Sequence, residues 1–152
     1  MLCEKKKQTT RCSCRNKNQC PLNGNCEIES VMYNCDVQTE STPKKTYIGI
    51  TEGSWKARHR THKHSFINEQ RKNDTDLAKY IWKAKSKNED PKLKWSIIKE
   101  IPAYSNINKK CHLCLHEKLA IITYKDKTEL LNTNSELISK RRHDIKFLLK
   151  KL

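Results

Sequence analysis

The chain has 152 residues, with 32 Lys and Arg against 17 Asp and Glu, for a formal charge of +15. This length suits one compact domain with arms rather than two domains, and an apolar share of 35% allows only a modest core. So large a positive excess calls for a polyanionic partner, nucleic acid before a membrane surface; no apolar run approaches a membrane span, and no lipid-binding stretch or lipidation signal is present.

In chain order, residues 1–19 are basic, polar and dotted with cysteine, without apolar period, and are expected to form an arm. Cys20-Pro21-Leu22-Asn23-Gly24-Asn25-Cys26 has the composition of a turn-rich knuckle. Val31, Tyr33, Cys35 and Val37 alternate with Met32, Asn34 and Asp36, the period of a strand. Polar residues 38–45, with Pro43, predict a loop, and Thr46 to Thr51 a second strand, so the two read as a hairpin with a long tip. Gly53-Ser54 is expected to break that strand and cap a helix on which Trp55, His59, His62 and Phe66 recur at helical spacing, with Arg58 and His62 on one face.

After a polar stretch at 67–74, Leu77, Tyr80, Ile81 and Ala84 mark an amphipathic helix. Pro91 and Pro102 bracket a third strand at Leu93 to Ile98. A third helix is expected from Lys109 to about Lys125, with Leu115, Leu119 and Ile122 on its apolar face. Asn132 to Ser135 reads as a break, followed by a basic helix from Glu136 containing Lys140-Arg141-Arg142-His143. The order β-β-α-α-β-α-α predicts an α+β domain on a small sheet: an arm at 1–29, a core at 30–135 and a basic C-terminal helix at 136–152. Trp55, Trp82 and Trp95 are expected in the core rather than as base-stacking platforms.

Eight cysteines stand at positions 3, 12, 14, 20, 26, 35, 111 and 114. An even count would suit a secreted disulfide framework, but Met1 to Lys7 hold no apolar signal region, so an intracellular, nuclear protein with reduced thiols is expected. Metal binding is then the better use of the thiols. Cys20-x5-Cys26 and Cys111-x2-Cys114 read as two knuckles of a structural zinc site that would tie the arm to the third helix and offset the small core. Cys12-x-Cys14 is an alternative pair; Cys3 has no evident partner, and Cys35 is expected to be buried on the first strand.

Val31-Met32-Tyr33 in the first strand, Tyr47-Ile48-Gly49 in the second, Arg58 and His62 on the next helix and Glu117 further on resemble the GIY-YIG nuclease family over roughly residues 30–135. Val31-Met32-Tyr33 departs from the family's first triplet and keeps only its tyrosine. The cysteines upstream look like those of the endonuclease domain of Penelope-like retroelements. The resemblance implies a three-stranded antiparallel sheet flanked by helices and a DNA endonuclease that nicks one strand. It also implies a catalytic Mg²⁺ or Mn²⁺ at Glu117 and a structural Zn²⁺. Tyr33 would act as general base or position the water, Tyr47 and His62 would orient the nucleophile or shuttle protons, and Arg58 would bind the scissile phosphate. Asn132, with Asn134 as fallback, matches the family's asparagine. The zinc set of that group mixes Cys and His, which makes His62, His64, His112 and His116 alternative ligands.

Gly49 would leave room for a backbone phosphate, and Lys56, Arg60, Lys63, Arg71, Arg141 and Arg142 would contact DNA without reading its sequence. The resemblance further implies a reverse transcriptase domain as a partner outside this chain, and no membrane partner is expected. The competing expectation is a zinc-stapled nucleic-acid-binding module without catalysis.

Overall fold

The computed structural model describes residues 12–102 and 112–132. Strand β1 (Glu29–Gln38) is central, between β2 (Lys45–Ser54) and β3 (Lys92–Glu100), and both neighbours run antiparallel to it. Among the described residues there are three α-helices: α1 (Trp55–Ile67), α2 (Asp76–Ser86) and α3 (His112–Thr123). The domain is therefore α+β on a three-stranded antiparallel sheet, as the element order predicts. No described helix is long and apolar enough to cross a membrane.

The alternation along β1 divides the molecule into layers. Val31, Tyr33, Cys35 and Val37 are completely buried on one face, where they meet Trp55 and Phe66 of α1 and Leu77, Ala78 and Ile81 of α2. Met32 on the other face packs with Ile48 and Ile50 of β2 and with Leu113, Cys114 and Ile121 of α3. Each half-buried strand thus feeds two cores, one per face, which suits a chain too small for a single large one.

Local chemistry sets the helix starts. Ser54 caps α1 by accepting a hydrogen bond from the Ala57 N–H at 3.2 Å, and Thr75 caps α2 by accepting from Ala78 N–H at 3.0 Å, each cap contributing about 1 kcal/mol. Gly53 does not break β2, which continues through Ser54 directly into the helix. The Trp82 indole N–H donates to the Ser65 carbonyl at 2.8 Å and Lys85 Nζ to the Phe66 carbonyl at 2.6 Å, closing the start of the α1–α2 connection. Trp55 and Trp95 are buried as expected, and Trp82 is half-buried.

Two expectations are corrected. α3 buries Leu113, Cys114, Lys118 and Ile121, whereas Leu115, Leu119 and Ile122 are about half exposed. The helix is apolar on more than one side, so the i, i+4, i+7 pattern did not select the docked face. β3 also extends past Leu93–Ile98 at both ends. The expected start of α3 at Lys109 and the basic helix from Glu136 lie outside the described residues.

Candidate functional site

Tyr33 sits at the middle of β1, opposite Gly49 of β2 and Ile97 of β3. Its hydroxyl lies 2.6 Å from His62 Nε2 and accepts a hydrogen bond from Arg58 Nε at 3.3 Å. Arg58 and His62 reach it together because positions four apart share one face of α1. Tyr47, on the same sheet face, completes the group: its ring stands edge-on to His62 with centroids 5.8 Å apart, and its hydroxyl also hydrogen-bonds Arg58. Four residues expected from sequence to work together are thus one buried cluster.

The electrostatics of the cluster follow from its burial. His62 is 1% exposed; burial, then the Arg58 charge and His59, push its pKa down to about 3, so its imidazole is neutral at physiological pH. Burial also works against the charge of Arg58. The two tyrosine oxygens beside it more than offset this and hold its pKa above the ordinary guanidinium value. The result is one fixed positive charge and one neutral imidazole on a phenolic oxygen.

Gly49 serves a different purpose from the one expected. A Cβ at this position would lie 2.5 Å from Tyr33 Oη and 2.6 Å from its Cζ. The space left by the missing side chain is therefore filled by the Tyr33 phenol, not kept open for a phosphate. Asn132 is likewise engaged: its Oδ1 accepts from Ile48 N–H and its Nδ2 donates to the Ile48 carbonyl, both at 2.8 Å. With the Thr46–Leu130 bridge, it ties the segment after α3 to the free edge of β2. In this arrangement Asn132 positions the strand that carries Tyr47 and Gly49.

Glu117 is half-buried on α3, whose docked face lies on the other side of the sheet from α1. Lys56, Arg60 and Lys63 lie along the outer side of α1. Arg71 is paired with Asp74 at 2.9 Å, and its Nη1 lies 3.3 Å from His64 Nδ1. Arg141 and Arg142 lie outside the described residues.

The metal-ligating group differs from the expected set. Cys12, Cys14, Cys20 and Cys26 bring four sulfurs within 4.8 Å of one another. Cys26 Sγ is 3.5 Å from Cys12 Sγ and 3.6 Å from Cys14 Sγ. Tetrahedral Zn–S bonds require S···S separations of about 3.8 Å, so the four thiols fit a single zinc ion. Burial disfavours ionisation of Cys20, but the backbone N–H groups of Gly24 and Leu22, with help from Cys12 and Cys26, bring its pKa down to about 6. The turn that aims those amides uses left-handed backbone at Asn23 (φ 52°) and Gly24 (φ 94°). Burial and the neighbouring Cys12 thiol push Cys26 up to about 12.

Cys114 cannot join Cys20 and Cys26, because it packs in the core on the far side of the sheet; Cys111 lies outside the described residues. Among the described residues, no histidine belongs to this group. His62 is committed to Tyr33, and His112 and His116 are carried by α3 on the far face. Cys12 and Cys14, the alternative pair of the sequence, belong to the group; the signal that identifies them is four cysteines within fifteen residues, spaced Cys-x-Cys-x5-Cys-x5-Cys. Cys35 is buried as expected, its pKa raised by burial. Comparison with protein-family models, curated proteins and solved structures finds no match for this chain.

Proposed function

We propose that this chain is a zinc-stapled, metal-dependent DNA endonuclease domain of the GIY-YIG type, most like that of Penelope-like retroelements, which nicks one strand by phosphodiester hydrolysis. The observation that carries this reading is the Tyr33 hydroxyl, held by His62 Nε2 at 2.6 Å and Arg58 Nε at 3.3 Å. Phosphodiester hydrolysis needs a deprotonated water, a cation against the charge on phosphorus, and a path for the departing oxygen.

With hydrogen on His62 Nε2, the Tyr33 oxygen receives two N–H donors and can carry the charge of a phenolate. That phenolate takes a proton from the attacking water. The water oxygen bonds to phosphorus as the phosphorus–oxygen bond to the leaving sugar breaks, and the Tyr33 proton then passes to the departing oxygen. Arg58 hydrogen-bonds Tyr33 Oη through Nε and also the Tyr47 hydroxyl, and its planar guanidinium suits a phosphate oxygen brought beside them. Glu117 offers the carboxylate a hard Mg²⁺ or Mn²⁺ prefers, and the bound ion would supply Lewis acidity to the phosphate. The nick would prime a reverse transcriptase carried outside this chain, in the nucleus.

One observation favours a second reading, a nucleic-acid-binding module without catalysis: Tyr33 is fully buried and its hydroxyl fills the Gly49 space. Nicking of supercoiled plasmid by zinc-loaded protein separates the two. Nicking that needs Mg²⁺ and is lost in a folded Glu117→Ala variant supports the nuclease. Salt-sensitive DNA binding without cleavage in either protein supports the module.

A further inference from the structure

Helix α1 has two working faces. Arg58 and His62 point at Tyr33, while Lys56, Arg60 and Lys63 recur at i, i+4 and i+7 on another side. That second side does not stand alone. It forms one wall of a groove of about 630 Å³, and the cysteine knuckle, through Cys14, Arg15, Gln19 and Cys26, forms the other. Among the described residues, four cations line the groove and no carboxylate does. Among the described residues, Arg15, Arg60 and Lys63 have no acidic partner, whereas Lys56 is taken up by Ser13 Oγ at 2.6 Å and Glu27 at 4.0 Å. Trp55 and His59 are stacked in the groove lining with centroids 4.6 Å apart, and the buried Trp55 indole N–H has no hydrogen-bond partner among the described residues.

The two walls are joined at few points. Lys56 N–H donates to the Cys26 carbonyl at 2.7 Å and Trp55 N–H to the Ile28 carbonyl at 2.8 Å. Lys56 Nζ adds a bond to Ser13 Oγ and Leu22 packs in the same core cluster as Trp55, but at Cys14 and Cys26, where the knuckle lines the groove, four thiols converge, and thiols gathered this closely need a cation to balance them once ionised. A wall that includes a metal site draws part of its order from the bound metal.

We propose that this groove binds the phosphate backbone of DNA and that metal in the Cys12–Cys14–Cys20–Cys26 site is required to form it, so the site gates DNA binding as well as stapling the arm. Arg15, Arg60 and Lys63, without an acidic partner among the described residues, suit a chain of phosphates and give affinity without sequence choice. The inference rests on the DNA-directed reading above, but it concerns binding away from the Tyr33 cluster.

The test measures anisotropy of a labelled DNA duplex with zinc-loaded protein and no added Mg²⁺, so that absence of cleavage has no bearing on it. Arg60→Glu/Lys63→Glu is expected to weaken binding at least about tenfold and to reduce the salt slope by about two. Lys83→Glu/Lys87→Glu, on α2 and at its C-cap, carries the same charge change outside the groove and is expected to weaken binding less than about threefold. Hydrogen exchange of the zinc-loaded complex is expected to show protection at 14–21 together with 56–67. Chelation of the zinc is expected to abolish that binding, and zinc return to restore it. Equal loss in the two double variants, protection of α1 without the knuckle, or unchanged DNA affinity after zinc removal would each overturn the proposal.

Discussion

Gly49 stands directly across the β1–β2 ladder from Tyr33, and the phenol oxygen occupies the place where a Gly49 side chain would begin. Gly49→Ala must therefore displace Tyr33 or distort β2, and is expected to destabilise the fold by about 1–3 kcal/mol. In a Tyr33→Leu background, where the crowding atoms are gone, the same substitution should cost markedly less. Denaturant unfolding of the four proteins of this cycle checks the coupling; additive costs would show that the contact is not what Gly49 provides.

The buried imidazole of His62 makes stability depend on acidity. Its folded pKa, about 3, is depressed below the ordinary value of 6.5. Between these values the unfolded chain binds a proton that the folded chain refuses, so stability is fully present above pH 6.5 and declines as pH falls toward 3. At pH 5 the loss from this residue is about 2 kcal/mol. Thermal melts from pH 7.5 to 5 should fall more steeply for the wild type than for a folded His62→Gln variant.

Much of this architecture was legible in the chain. Val31, Tyr33, Cys35 and Val37 alternate cleanly because one face of β1 is buried against two helices, and Arg58 and His62 share a face because the helix repeats every 3.6 residues. The failures have physical causes. In α3, Leu113 and Ile121 compete with Leu115, Leu119 and Ile122, and only the docking of the helix on Met32 and Ile48 decides between the two faces. The Cys-x2-Cys pair at 111 and 114 has good zinc spacing, but spacing within a pair says nothing about which side of the sheet it occupies. The unadorned polar arm concealed Cys12 and Cys14, since a metal, not an apolar period, would organise it.

Protein purified without chelator is expected to carry about one zinc per chain. Cys12→Ser or Cys20→Ser should lower that content sharply and depress the melting temperature, while Cys114→Ser should retain the zinc. Loss of zinc only in the Cys114 variant would restore the pairing across the sheet that the structure argues against.

Asn132 offers a separate check on positioning. Asn132→Ala removes both hydrogen bonds to the Ile48 peptide and leaves its buried amide groups unsatisfied, a loss of about 1–3 kcal/mol. Hydrogen exchange at Ile48 should rise in this variant. Exchange unchanged at Ile48 would mean that the segment after α3 does not hold the edge of β2.

The account turns on the chemistry of the Tyr33 oxygen, and the most direct measurement is single-turnover nicking by wild type and Tyr33→Phe at equal zinc content and saturating protein. The phenyl ring keeps the packing and removes only the oxygen that His62 and Arg58 address. The account predicts a cleavage rate at least about a hundredfold lower, the scale of a lost acid–base group, with DNA affinity unchanged. Cleavage at the wild-type rate by a folded Tyr33→Phe protein would contradict it.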